Sequence, residues 1–360
     1  MTIRRHIPHV AKNSEFIFGT SVVEAAIKSH RRKLYRLYIY AGSNRTPEAK
    51  IRDEGMKKLA RQHHPEIEII DELDIGQLDS MSDSRPHNGY VLDAERLHKV
   101  PLLALGKVSE DCTEFGVQIA QHTTNPDIRL RDQPRTIKCR GQKRYPFVLM
   151  VDEILDPGNL GAMIRSAYYL GAEAVIISGR NSAPLSAVCH KASAGASEYI
   201  PIYEYTNSVT FLNGSKDNGW KFYAAVPPVA KGEQKVKDKM AKVLDESQVG
   251  RALLEGPCCL ILGQEGDGLR PWLAKQANYQ VGIAKGDDTD PMVDSLNVSV
   301  AAAILCNRFL NSTLPQKQQP QNEKKFKKEA KHESVPKSKN ELGVEPGHEI
   351  KLQPDPNKLF

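Results

Sequence analysis

Membrane spans and metal-binding motifs are both missing from this sequence of 360 residues. No run of apolar residues approaches the roughly 18 that a membrane-spanning helix needs. The six cysteines are scattered and include no C-x-x-C pair, which argues against a structural zinc site and fits a reducing compartment. The adjacent Cys258 and Cys259 are expected to be small core residues of a buried strand. We therefore expect neither a bound metal nor insertion into a membrane.

Phosphate-binding motifs are also missing, although a glycine-rich turn follows an apolar run. The stretch CCLILGQEGDGL, residues 258–269, carries its glycines in the order G-x-x-G-x-G. This order is neither the dinucleotide fingerprint nor a P-loop, because no Lys-Ser/Thr pair follows it. A nucleotide-dependent dehydrogenase is therefore disfavoured, and a glycine turn that contains Glu265 needs a different kind of ligand.

Positive charge is concentrated at the two ends of the chain. The net charge of +6 divides into eight Lys or Arg against two Glu in residues 1–40, ten Lys or Arg against seven Asp or Glu in residues 316–360, and about −3 in between. The densest stretch is SHRRKLYR, residues 29–36. A solvated helix face would explain it, and the alternative is a polyanion-binding surface. The residues of that predicted surface are Arg31, Arg32, Lys33 and Arg36.

The N-terminal part alternates between strand-like and helix-like segments, which predicts a small α/β domain over residues 16–98. The segments are strands at 34–40 and 67–70, helices at 47–63 and 71–80, and a stretch at 85–94 that contains a turn at Asn88-Gly89 and a final strand. Residues 1–15 form a basic extension that is short for a transit peptide but poor in acidic residues like one. Residues 99–144 are polar and irregular, and we predict a linker with an insertion.

A second and stronger alternation predicts a larger α/β domain over residues 145–312. Its segments are strands at 145–154, 172–178, 200–205, 220–227, 258–263 and 279–284, and helices at 157–171, 184–197 and 296–310. Strands separated by helices favour a largely parallel sheet covered on both faces. Residues 229–256 are predicted to be a surface excursion. Residues 313–360 have too little apolar content to fold and are predicted to be a disordered polar tail.

Polar residues that a core does not need follow three of these strands. They lie in DPGNLGAMIRSA (156–167), in the glycine turn, and in DSLNVSVAAAILCNRF (294–309). Each polar residue could be a helix cap, Asn159 above all. Three such clusters at the carboxyl ends of strands, where open α/β sheets bind ligands, favour a site instead. Its candidate residues are Asn159, Arg165, Glu265, Ser295 and Asn297.

The three clusters resemble, in order and spacing, the motifs of the SpoU/TrmH family of RNA 2′-O-ribose methyltransferases. The matching stretches are NLGAMIRSA, LILGQEGDGL and DSLNVSVAAAIL. The resemblance implies the trefoil-knotted SPOUT fold over residues 145–312, preceded by a small L30e-like substrate-binding domain. Within the family, FIFGTSVVEAAI and RPHNGYVLDA are most similar to enzymes that methylate a guanosine ribose in large-subunit rRNA, including those of fungal mitochondria.

The resemblance also implies a cofactor, partners and roles for the candidate residues. The cofactor is S-adenosylmethionine, whose adenosine carries no phosphate, and the substrate is large-subunit rRNA or a precursor ribosomal particle. The family forms homodimers, and a mitochondrial matrix location is expected. The five candidates become the catalytic residues. The cofactor-binding positions are Leu262, Gly263, Gln264, Gly266, Ile283, Leu296 and Ser299. Ile283 is the least direct match, because the segment that follows it is longer and more acidic than the family's compact turn.

The chemistry implied is methyl transfer from a sulfonium to a ribose 2′-hydroxyl, for which positioning supplies most of the acceleration. The family assigns deprotonation of that hydroxyl to the arginine matching Arg165. Since a guanidinium is effectively always charged, Arg165 could instead clamp a phosphate and stabilise the developing alkoxide. The alternative function is a catalytically inactive RNA-binding or ribosome-assembly factor on the same fold.

The predicted final helix of the chain, over 296–310, is apolar on most sides, which favours a homodimer.

Overall fold

Two separate β-sheets organise the chain, one built from residues 14–95 and the other from residues 100–282. The computed structural model describes residues 7–311, except 64, 124, 141–143, 228–241, 267 and 287–294. The first six residues of the predicted basic extension and all of the predicted polar tail over 313–360 lie outside the described residues.

The first sheet has four strands in the order β1-β4-β2-β3. Its elements are β1 (Ser14–Phe18), α1 (Thr20–Ser29), β2 (Leu34–Tyr40), α2 (Pro47–Arg61), β3 (Glu66–Ile70), α3 (Ile75–Met81) and β4 (Tyr90–Glu95). Strand β4 is antiparallel to both β1 and β2, while β2 and β3 are parallel. Thr46 caps α2, and the predicted turn before β4 has positive φ at both Asn88 and Gly89, as a tight hairpin-type turn requires.

The second sheet has ten strands in the order β12-β14-β11-β13-β8-β9-β10-β5-β6-β7. They are β5 (Val100–Val108), β6 (Glu114–Ile119), β7 (Thr136–Lys138), β8 (Phe147–Val151), β9 (Ala174–Ser178), β10 (Ile202–Tyr205), β11 (Lys221–Ala225), β12 (Lys242–Asp245), β13 (Cys258–Leu262) and β14 (Tyr279–Gly282). All neighbours from β12 to β5 are parallel. The mostly parallel sheet confirms the predicted α/β class.

Helices cover both faces of this sheet and leave two apolar cores. They are α4 (Pro157–Leu170), α5 (Ala187–Ala192), α6 (Ser208–Asp217), α7 (Ala252–Glu255), α8 (Pro271–Gln276) and α9 (Val298–Asn311). The predicted helix over 184–197 is shorter than expected. Ala194 and Gly195 take positive φ values and end it, and a 3₁₀ turn follows at Ala196–Glu198.

The prediction that residues 99–144 form an irregular linker is wrong, because much of this segment extends the second sheet. Strand β5 pairs parallel with β10, and β6 and β7 add antiparallel strands beyond it. Phe115 packs edge-on against Trp220 with ring centroids 5.1 Å apart, and the Trp220 indole donates to the Gly106 carbonyl at 2.8 Å. The high average polarity of the segment hid the alternating apolar residues that make these contacts.

The predicted surface excursion over 229–256 is wrong in its second half. Strand β12 pairs with β14 at the sheet edge, and Val249 and Leu253 are fully buried in the core beneath α9. The first part of the excursion, up to residue 241, lies outside the described residues.

Candidate functional site

Asn159, Glu265 and Asn297 form one hydrogen-bonded cluster at the carboxyl ends of β8 and β13 and the start of α9. The Asn159 side-chain amide donates to Oε1 of Glu265. The Asn297 amide donates to the same Oε1 at 3.3 Å and to Oδ1 of Asn159 at 3.2 Å. One residue from each of the three predicted motifs therefore meets the others directly.

The caps of α4 and α9 explain how these side chains reach each other. Asp156 is the N-cap of α4 and accepts from the Asn159 backbone N–H at 2.7 Å, so the view that Asn159 is itself the cap is wrong. The Asn159 side-chain oxygen is thereby left to accept from Asn297, while its amide donates to Glu265. Asn297 accepts from the backbone N–H and hydroxyl of Ser299 at 2.9 and 2.6 Å. Its oxygen thus holds the start of α9 while its amide faces the cluster.

The glycine turn after β13 needs its glycines for different reasons. A Cβ on Gly263 would lie 2.3 Å from Cα of Leu269 and 2.4 Å from the carbonyl oxygen of Gly268, so only glycine fits. Gly266 and Gly268 instead take φ values of +86° and +69°, which L side chains rarely adopt. The turn is closed by the Gly268 N–H, which donates to the Gln264 carbonyl at 3.1 Å.

A cavity of about 780 Å³ lies beside this turn. Six of the seven predicted cofactor positions line it, namely Leu262, Gly263, Gln264, Gly266, Ile283 and Leu296. Glu265, Ser295 and Asn297 line it too, whereas Ser299 is not among the lining residues and bonds to Asn297 instead. The size and the few polar groups suit a small organic ligand.

Apolar residues that sequence reasoning missed form much of the cavity wall. They include Ala225, Val226, Pro227, Leu269, Val281, Ala301 and Leu305. Nothing in the sequence distinguishes them from ordinary core residues of strands and helices. Their contribution becomes visible only when β11, β14 and α9 are placed around the turn.

Arg165 stands apart from this cluster. It lies on α4 with an exposed side chain and does not line the cavity. Within the described part of the chain, its guanidinium has no hydrogen-bond or ion-pair partner. Asn159 and Glu265 instead bond to each other and to Asn297.

The predicted polyanion surface at residues 31–36 is wrong for Arg32, whose side chain is 1% exposed. It pairs with Glu198 at 2.6 Å and with Glu15 at 2.8 Å. Burial alone would raise the pKa of Glu15, but His190 and Arg32 outweigh it and hold that pKa below its ordinary value. Arg32 therefore joins the first sheet to the segment after α5.

The other three basic residues of that stretch differ in their partners. Arg31 donates to the backbone carbonyls of Ser197 and Ile200 at 3.1 and 2.6 Å. Arg36 bonds to Glu66 at 2.7 Å and to Glu68 at 3.2 Å. Lys33 is exposed, with its ammonium 5.3 Å from the centroid of the Tyr35 ring. Arg31, Arg32 and Arg36 therefore already donate to neighbouring carboxylates and carbonyls, although the sequence predicts that they bind RNA phosphates.

Two further properties concern the described residues alone. None of their helices combines the length and the apolar character required to cross a membrane. Their His, Cys, Asp and Glu side chains form no group of three or more arranged to hold a metal ion.

Fold and site together define an α/β protein that binds a small organic ligand beyond the carboxyl ends of parallel strands, next to a glycine turn. Residues 146–307 match the SpoU rRNA Methylase family. Over 305 residues the chain is 33% identical to "rRNA methyltransferase 1, mitochondrial" of Schizosaccharomyces pombe, covering 84% of this chain and 91% of that protein. The chain belongs to the SpoU rRNA methylase family.

Two other comparisons agree with this membership. The chain is 27% identical over 294 residues to the 23S rRNA (guanosine-2'-O-)-methyltransferase RlmB of Shewanella oneidensis, covering 81% of this chain and 95% of that protein. The AdoMet-bound rRNA methyltransferase from Sinorhizobium meliloti shares the fold, with a TM-score of 0.55 at 20% identity over 84% of this chain and 89% of that chain. The predicted class, an RNA methyltransferase that uses S-adenosylmethionine, is confirmed.

Proposed function

We propose that this protein methylates the ribose 2′-hydroxyl of a guanosine in mitochondrial large-subunit rRNA. The observation that carries the proposal is the meeting of Asn159, Glu265 and Asn297 beside the cavity. The similarity to the mitochondrial enzyme of Schizosaccharomyces pombe supports the compartment, and the similarity to RlmB supports the guanosine. The substrate is the naked rRNA or a precursor ribosomal particle.

The cavity fits S-adenosylmethionine. Apolar walls suit an adenine ring, and Gly266 and Gly268 leave open space where other residues would carry a Cβ. Leu262, Gly263, Gln264, Gly266, Ile283 and Leu296 would hold the cofactor, with Ser299 supporting Asn297. When bound, the cofactor supplies an activated methyl group. The protein's own contribution is to fix the positions of the turn and of the incoming ribose.

Arg165 is the residue we assign to the RNA. Its exposed and permanently charged guanidinium suits a bidentate contact to a phosphate and stabilisation of the developing alkoxide. Ser295, which lines the cavity at the start of the third motif, is assigned to the same ribose-phosphate unit. The proton of the 2′-hydroxyl then passes to solvent, because a guanidinium is a poor base.

The finer features of the fold belong to the same proposal. We assign a trefoil knot to the region around the glycine turn and α9, and an L30e-like substrate-binding role to residues 16–98. The shared fold with SpoU-type methyltransferases supports the first assignment. The separate four-stranded sheet supports the second. We also propose a homodimer.

The test is methyl transfer to large-subunit rRNA by the purified protein, with the modified ribose mapped. We expect Arg165→Ala to keep its fold and its affinity for S-adenosylmethionine while turnover falls about 100-fold, the scale of removing one charge-stabilising group. Arg131→Ala, which removes an exposed arginine from the segment between β6 and β7, is the control and should methylate normally.

Two outcomes would contradict these assignments separately. Near wild-type turnover by Arg165→Ala would remove the catalytic role from Arg165. Binding of rRNA by the wild-type protein without any methylation, in the presence of S-adenosylmethionine, would favour the inactive RNA-binding factor.

A further inference from the structure

Asp152, whose side chain is buried, and Arg270, whose side chain is partly exposed, form an ion pair next to the glycine turn. Arg270 donates from Nε to Oδ2 of Asp152 at 2.8 Å and from Nη2 to Oδ1 at 2.7 Å. The Asp152 side chain is 1% exposed, so its charge depends on this partner. Tyr205 on β10 donates its hydroxyl to the same carboxylate. The two-armed geometry is that of the strongest arginine–carboxylate contacts.

The position of this pair connects it to the cofactor cavity. The Asp152 backbone N–H donates to the Leu262 carbonyl at 2.8 Å, immediately before the turn. Its carboxylate binds Arg270, immediately after the turn. A single residue therefore holds both ends of the segment 263–269, which supplies five residues of the glycine turn and Leu269 to the cavity wall.

The surroundings of Arg270 restrict its guanidinium further. Its Nη1 lies 3.4 Å from Oε1 of Glu153, and its Cζ lies 5.3 Å from the centroid of the Trp272 ring. Glu153 has a φ of +56° and accepts from the Asn181 amide at 3.4 Å. Arg270 is thus held from several sides at the point where the turn passes into α8.

We propose that Asp152 and Arg270 are positioning residues that close the cofactor turn and set the place of Glu265 relative to Asn159. Asp152 directly follows β8 and lies four residues before Asp156, the N-cap of α4, the helix that carries Asn159. Arg270 follows the turn that carries Glu265. The pair therefore links the first and second motifs through a contact separate from the Asn159–Glu265 hydrogen bond. This positioning role rests on the proposed function, because S-adenosylmethionine is taken as the ligand.

The first sheet provides a matched control. Arg45 donates from Nε to Asp53 at 3.0 Å and from Nη2 at 2.5 Å, and the Tyr90 hydroxyl bonds to the same carboxylate. This is the same two-armed arrangement with a tyrosine, and it does not line the cavity. A purely structural ion pair would behave alike at both places.

The experiment compares Arg270→Lys and Arg270→Met with Arg45→Lys and Arg45→Met. Calorimetry gives the affinity for S-adenosylmethionine, thermal melting gives the stability, and filter binding gives the affinity for rRNA. The lysine variants keep the positive charge beside Asp152 or Asp53 but lose the two-armed contact of the guanidinium with the carboxylate. We expect Arg270→Lys to fold and to bind the cofactor about tenfold more weakly, with unchanged rRNA affinity. Arg45→Lys should bind the cofactor as the wild type does.

The outcomes separate this inference from the proposed function. If the wild type binds S-adenosylmethionine and Arg270→Lys binds it equally well, the positioning role is overturned while the proposed function stands. Equal losses of cofactor affinity in the Arg270 and Arg45 variants would also overturn it, since they would reflect general destabilisation. A wild-type protein that binds no S-adenosylmethionine would overturn both.

Discussion

Glu265 accepts hydrogen bonds from two asparagines that lie 106 and 32 positions away in the chain. The cluster can form only after β8, β13 and α9 have come together. Its single shared acceptor is Oε1, so the arrangement needs an oxygen at that point more than it needs a full negative charge. Substitution of Glu265 by Ala and by Gln should therefore differ in effect.

We expect Glu265→Ala to lose methylation activity by about 10-fold to 100-fold, because the side-chain amides of Asn159 and Asn297 lose their shared acceptor. Glu265→Gln keeps an oxygen that can face both asparagines, so its loss should be clearly smaller. Methylation of rRNA at saturating S-adenosylmethionine measures both. Glu54→Ala, which removes an exposed glutamate from α2, serves as the control. Equal losses in the Ala and Gln variants would show that the charge itself is required.

Residue types near the strand ends could be predicted from the sequence, whereas their partners could not. Asn159, Glu265 and Asn297 stood out because polar side chains follow apolar strands there. Arg32 was misjudged because its counter-charge, Glu198, lies 166 positions away and only the fold brings it close. A basic run in a sequence does not indicate how many of its charges are already paired.

At the scale of single elements, the turn between β13 and α8 shows how backbone geometry shapes the cavity. Gly263 has no room for a Cβ because the returning backbone of Gly268 and Leu269 passes within 2.4 Å of that point. The contact is with backbone atoms, so no side-chain rotation can relieve it. Any substitution must move the turn itself.

We expect Gly263→Ala to weaken binding of S-adenosylmethionine about tenfold or more, since relieving such overpacking costs about 1–3 kcal/mol in shifted backbone. The matched control is Gly55→Ala within α2, where no atom lies within 4 Å of the added Cβ. That change should leave cofactor binding intact and stabilise the helix by roughly 0.5–1 kcal/mol. Calorimetry and thermal melting report the two effects. Normal cofactor binding by Gly263→Ala would mean that the turn can shift without affecting the cavity.

Elements whose apolar residues recur with a clear period could be predicted from the sequence, and elements of mixed polar and apolar composition could not. Strand β2 and helix α4 lie where their apolar patterns place them. Strands β5 to β7 were missed because charged residues on their exposed sides dominate the average over residues 99–144. Their apolar sides are buried by packing with β10 and Trp220, which come much later in the chain.

At the scale of the whole molecule, α4 and α9 each retain an exposed apolar side chain. Within one chain, α9 buries Ala302, Leu305 and Phe309 against the sheet. The 3₁₀ segment and α7, between residues 246 and 255, also pack against α9. Complete burial of α9 by its own chain would be the alternative to a dimer. Val300 nevertheless remains 46% exposed, and Tyr169 on α4 remains 86% exposed.

This incomplete burial is the structural argument for the proposed homodimer. A helix with apolar residues on most sides is stable in water when a second surface covers what its own chain leaves open. A second copy of the chain would do so through a two-fold interface in which the same patch meets itself. Tyr169 lies one turn after Arg165 on α4, so such an interface would also place the two active sites near each other.

We expect the wild-type protein to sediment as a species of two chains at micromolar concentration, and Val300→Glu to shift it to a single chain, because the new carboxylate would lose its water on association. Val209→Glu is the matched control. Val209 lies in the first turn of α6, is 48% exposed and belongs to another surface, so its glutamate should leave the dimer intact. Sedimentation equilibrium decides between the two states. A wild-type protein with the mass of one chain would reject the dimer, and a Val300→Glu variant that still sediments as two chains would place the interface elsewhere.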